Sequence, residues 1–143
     1  MIDYATLKDV NAEINDLPYT AGVDPLWEPI DADDDGGTCS NFAVAKYRAL
    51  RALKVPKEWL ILTCAFVEPF DLKDPITGVW RAARKDERYH AILAVKHEGK
   101  LLAMDNRKPF PTEIELTGYE WHKLWNWEWG KWEWAENADR SIG

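Results

Sequence analysis

The chain has 143 residues, 46% hydrophobic and 30% charged, with a formal net charge of -7. That length and balance suit one globular domain with its own core. The acidic balance, with basic residues spread along the chain, argues against nucleic-acid binding, which needs a concentrated basic surface. No apolar run is long enough to span a bilayer, so membrane insertion is not expected. The start, MIDYATLKDV, has neither a basic segment nor an apolar one. It carries no visible secretory signal, and the expectation is a cytoplasmic protein. The small size suits one carried by a phage or mobile element. Two cysteines are too few for a disulfide framework.

In chain order, residues 3–19 place Tyr4, Leu7, Val10 and Ile14 at helical spacing, with Pro18 as the stop. Residues 20–37, rich in proline, glycine and aspartate, read as a loop. From Asn41 a second helix follows. Phe42, Ala45, Ala49 and Leu53 form one row, with Ala43, Tyr47 and Leu50 beside it. Such a wide apolar face predicts a largely buried helix, stopped by Val55-Pro56. Three strand-like runs come next, at residues 59–68, 89–97 and 100–106. Cys64 lies in the first, LILTCAF, as a core residue. Residues 69–88, polar and broken by proline and glycine, read as an exposed loop and a flap over a site. The second and third runs join through the turn HEGK. Helix, loop, central helix and antiparallel strands together predict an α+β layer.

Cys39 stands at the expected start of the central helix, where unpaired N–H groups and the helix dipole favour anions. A thiol there has a lowered pKa, and the same N–H groups suit an oxyanion. Gly36 and Gly37 allow a sharp backbone turn before it. A lone cysteine at a helix start packs more often than it reacts. His90, beginning the apolar strand HAILAV, supplies the base that a thiolate needs. Asp105, closing LLAMDN, supplies a carboxylate to orient the imidazole. Counting from the Glu98-Gly99 turn, His97 meets Lys100 and His90 falls opposite a position just past Asp105. A bulge or longer turn is expected to bring the two level.

The run CSNFAVAKYRALRALKVPKEWLIL resembles the segment around the nucleophile of the bacterial transglutaminase-like cysteine proteinases. Gly37, Cys39, Phe42, Ala43, Ala45, Lys46, Tyr47, Leu50, Leu53, Val55 and Pro56 fit that family's pattern. HAILAV and AMDN resemble its histidine and aspartate strands, and the likeness spans roughly residues 7 to 106. It implies a papain-like/transglutaminase-like fold, with Cys39 as nucleophile, His90 as base and Asp105 as orienter. It also implies an indole N–H in the oxyanion hole, for which Trp27 is the candidate and Asn11 a rival donor. Thr38, Ser40 and Asn41 stand where the family carries acidic residues. In one exported member, acidic groups near that place bind calcium, so these changes count against calcium here.

Asp31, Asp33 and Asp35 before Gly36 imitate the opening of an EF-hand loop, but Phe42 stands where its bidentate glutamate belongs. An EF-hand is excluded; a looser calcium site at those three aspartates stays open. The histidines and cysteines show no zinc spacing. At residues 121–135 a tryptophan-rich hairpin is expected, turning at Gly130-Lys131. Trp129 would face Trp132 and Trp127 would face Trp134, either covering the sheet or offering a partner surface. The expectation is a cysteine-dependent hydrolase, needing no cofactor, acting on a protein or peptide. The alternatives are a transglutaminase or acyltransferase with the same residues, and an inactive binding module of the same fold.

Overall fold

The computed structural model describes residues 2–18, 37–126 and 131–134. Helix α1 (Tyr4–Asn15) starts at Asp3, whose carboxylate accepts from the Thr6 N–H at 2.9 Å. Helix α2 (Cys39–Ala52) starts at Thr38. Between them the Gly37 N–H donates to the Pro18 carbonyl at 3.0 Å, tying the entry of α2 to the exit of α1. At the far end, Leu53, Lys54 and Val55 turn the chain out of α2, with Lys54 at φ 68.

The strands are β1 (Leu60–Phe66), β2 (Asp71–Lys73), β3 (Trp80–Ala82), β4 (Tyr89–His97), β5 (Lys100–Met104), β6 (Thr112–Glu113), β7 (Glu120–Asn126) and β8 (Lys131–Trp134). Six form one antiparallel sheet in the order β6-β5-β4-β1-β7-β8, and β2 and β3 pair separately. Strand β4 lies near the middle. Side chains alternate between faces, so its residues serve two cores. Leu93 and Val95 join Leu7, Ala43, Leu50 and Met104 under the helices. Ile92 joins Ala65, Val67, Ala103, Tyr119 and Trp121 on the other side. Burial on both faces explains why HAILAV is apolar throughout rather than alternating.

Three expectations change. Residues 69–88 are not all loop. They contain the β2–β3 ribbon, whose turn is held by the Asp74 carboxylate accepting from the Ile76 and Thr77 N–H groups, with Gly78 at φ 74. Three-residue strands are too short to leave a period in the sequence. The expected bulge between β4 and β5 is absent: pairing runs unbroken from His97↔Lys100 to Leu93↔Met104. The tryptophan hairpin also has a different register. Trp132 lies opposite Trp125 and Trp134 opposite Lys123, because Asn126 already pairs with Lys131 and four residues, not two, connect the strands. Trp127 and Trp129 fall outside the described residues.

Leu93 is fully buried where α2 meets the sheet. Leu93→Ala is expected to cost about 2–5 kcal/mol, read from urea midpoints at constant m-value. A loss below about 1 kcal/mol would contradict close packing there.

Candidate active site

Cys39 is the first residue of α2, so its sulfur lies at the end of the helix where N–H groups are unpaired. Asn41 organises this end: its Oδ1 accepts from the Thr38 N–H at 2.8 Å and from the Thr38 hydroxyl at 2.9 Å. The sulfur accepts from the Ala91 N–H at 3.3 Å, so strand β4 reaches across to the helix start. Partial burial pushes the Cys39 thiol up. The His90 hydrogen bond and charge, with the Ala91 and Ser40 N–H groups, more than offset this and hold it below the usual range.

His90 is buried and bonds Asp105 through Nε2, 2.6 Å from Oδ1. The Cys39 sulfur, which accepts from the N–H of the next residue, Ala91, also favours the charged imidazole. Burial works against the imidazolium, but the Asp105 and Cys39 contacts prevail and raise its pKa to about 9. Asp105, one residue past β5, is fully buried. Burial pushes its carboxyl up, yet His90, the Tyr119 hydroxyl and the Arg107 N–H bring it down to about 2. Continuing the β4–β5 register would set Ile92, not His90, opposite Asp105. The two side chains meet across that diagonal, a separation of roughly 7–8 Å that such groups can bridge without a bulge.

Sequence reasoning passed over the surroundings of Asp105. The Tyr119 hydroxyl donates to Oδ2 at 2.5 Å and the Arg107 N–H donates to Oδ1 at 3.0 Å. Tyr119 follows Gly118 (φ 74) at the entry to β7, and no local pattern links it to Asp105. Lys46 had a signal: it falls within the apolar stripe of α2 formed by Phe42, Ala43 and Leu50. It is fully buried, and its Nζ donates to the Met104 carbonyl at 3.3 Å. Burial lowers its pKa to about 7, with the Asp105 charge pulling it partly back.

Asn11 is buried with its amide nitrogen donating to the Lys108 carbonyl at 3.1 Å. Asn15 donates to the Asp105 and Lys108 carbonyls at 3.0 and 3.2 Å. Asn11 thus braces the loop after β5. Trp27, Asp31, Asp33 and Asp35 lie outside the described residues, and of Trp132 and Trp134 only the backbone course in β8 is described. His122 is buried, with Nδ1 2.8 Å from the Tyr89 hydroxyl. His97 stacks at a tilt on Tyr4, with ring centroids 6.4 Å apart.

No family model matches the chain, and no curated protein does. Solved structures do. LapG of Legionella pneumophila matches with a TM-score of 0.68 at 22% identity, over 97% of this chain and 71% of that one. Its calcium-bound form matches at 0.64 and 21%, over 95% and 71%. The EGTA-treated form matches at 0.63 and 21%, over 96% and 72%. The likeness is one of fold: two helices against a curled antiparallel sheet, the transglutaminase-like α+β arrangement. Among the described residues no three His, Cys, Asp or Glu side chains converge to hold a metal, and Thr38, Ser40 and Asn41 beside the thiol are neutral. Among those residues, too, no helix is long and apolar enough to cross a membrane.

The buried lysine makes stability depend on pH. Between pH 7 and the unfolded lysine value of about 10.4, the unfolded chain binds more protons at Lys46 than the native one, so this contribution raises stability as pH rises. Wild type should therefore gain on Lys46→Met steadily across that window in urea denaturation. Parallel pH profiles for the two chains would contradict a depressed Lys46.

Proposed function

We propose that the chain is a cysteine-dependent hydrolase that cleaves an amide in a protein or peptide through a thioester on Cys39. The observation that carries this reading is one buried imidazole bonded to a carboxylate and adjoining a thiol at a helix start. His90 meets the Asp105 carboxylate at 2.6 Å through Nε2, and the Cys39 sulfur accepts from the N–H of the next residue, Ala91, at 3.3 Å, which sets thiol, imidazole and carboxylate in one cluster. The transglutaminase-like fold shared with LapG agrees with it.

The chemistry follows from the two shifted pKa values. Cys39 is lowered and His90 raised, and both shifts favour the thiolate–imidazolium pair. The thiolate attacks the amide carbonyl carbon. The imidazolium gives its proton to the leaving nitrogen as the C–N bond breaks. Neutral His90 then takes a proton from water, whose oxygen attacks the thioester, and the acid departs with the thiolate restored. Asp105 keeps the imidazole in one orientation and stabilises its charged form. The resemblance assigns the Trp27 indole N–H to the oxyanion.

The test is intact-mass spectrometry of the protein mixed with a panel of peptide esters. The expected result is an acyl adduct on Cys39 that hydroxylamine removes, absent in Cys39→Ala. It should turn over about a hundredfold or more slowly in Asp105→Asn. Transfer to an added primary amine in place of hydrolysis would convert the reading to acyl transfer. Ester turnover that survives Cys39→Ala would overturn it.

A further inference from the structure

We infer that Tyr119, braced by Arg107 and Glu68, is a positioning residue for the thiol reaction: it fixes the buried carboxylate of Asp105 that orients His90. The inference rests on the hydrolase reading and extends it beyond Cys39, His90 and Asp105.

The hydrogen-bond directions are set by chemistry. Asp105 is ionised and only accepts. The Tyr119 hydroxyl therefore donates to Oδ2 at 2.5 Å, and its oxygen is left to accept from Arg107 Nη1 at 3.2 Å. A guanidinium on the oxygen polarises the hydroxyl and makes it a stronger donor. Arg107 is held in turn by Glu68, with Nη2 to Oε1 at 3.0 Å and Nη1 to Oε2 at 3.4 Å. The same residue's backbone N–H closes on Oδ1 beside His90. Hydrogen bonds therefore run from a half-exposed ion pair, Glu68–Arg107, through Tyr119 and Asp105 to His90, whose neighbour Ala91 bonds the sulfur.

The Tyr119 ring also contacts the base directly. The Tyr119 ring stands at 89° to the imidazole of His90, with centroids 6.4 Å apart, so it walls the base as well as holding its partner. The other charged groups around the carboxylate are Lys46 from α2 and Lys108, whose Nζ lies 5.5 Å over the Tyr119 ring. Among the described residues, Tyr119 is the group that bonds Oδ2.

Tyr119→Phe keeps the ring and its packing on Trp121 and removes only the hydroxyl. The experiment pairs two measurements at matched folding, judged by circular dichroism. One is the downfield proton resonance of His90 Nε2–H. The other is the pH at which the Cys39 thiolate absorbance appears, taken as wild type minus Cys39→Ser. In Tyr119→Phe the resonance should move upfield or broaden, and thiolate at pH 6 should fall about tenfold. Glu68→Gln, an exposed change, should move both in the same direction by less. Tyr4→Phe, which removes a hydroxyl bonded to the Pro111 carbonyl, should move neither. If Tyr119→Phe leaves both at their wild-type positions, the positioning role is overturned and the hydrolase reading stands. If Cys39 titrates as an ordinary thiol in wild type while the His90 resonance moves in Tyr119→Phe, the hydrolase reading fails and the hold on Asp105 stands.

Discussion

A carboxylate with no route to solvent sets the terms for this fold. An ionised group buried without partners costs several kcal/mol, so the chain must surround Asp105 with donors or lose the charge. Three donors among the described residues meet the carboxylate itself. His90 comes from β4, Tyr119 from the entry to β7, and the Arg107 N–H from the turn that Asp105 itself begins. Lys46 on α2 adds positive charge nearby, and Asn15 on α1 holds the Asp105 main chain. Two helices, a central strand and two loops are therefore required to meet at one point.

The same enclosure produces the chemistry. Each group that stabilises the Asp105 charge keeps the carboxylate ionised and in place beside His90, and the His90 charge favours the Cys39 thiolate. The sulfur sits where the α2 N-terminus and the Ala91 N–H both favour an anion. Helix packing and thiol activation are one arrangement seen at two levels, since α2 can present Cys39 only while Ala43 and Leu50 dock on Leu93 and Met104.

Much of this was legible in the sequence. The central helix showed itself through its apolar row, β4 through an unbroken apolar run, and Cys39, His90 and Asp105 through their order on elements of known type. What stayed hidden has physical reasons. The meeting of His90 with Asp105 depends on side chains crossing a diagonal, and strand register alone pointed to a bulge that is not there. Tyr119 and Arg107 are brought to Asp105 by tertiary contact from positions with no local signature. Lys46 was readable, because an ionisable residue in the middle of a buried stripe needs a partner, and its partner lies near Asp105. The β2–β3 ribbon stayed hidden because its strands are shorter than any period. The tryptophan hairpin was found but misregistered, since Gly130-Lys131 satisfied the preferences of a two-residue turn.

The central claim is that the fold turns Cys39 into a thiolate by pairing it with His90. It is tested most directly by the rate of Cys39 alkylation by iodoacetamide against pH, in wild type and in His90→Ala. Fast labelling that persists well below the free-thiol value of about 8.5 and disappears without His90 is the expected result. Labelling that follows an ordinary thiol in wild type, unchanged in His90→Ala, would contradict it.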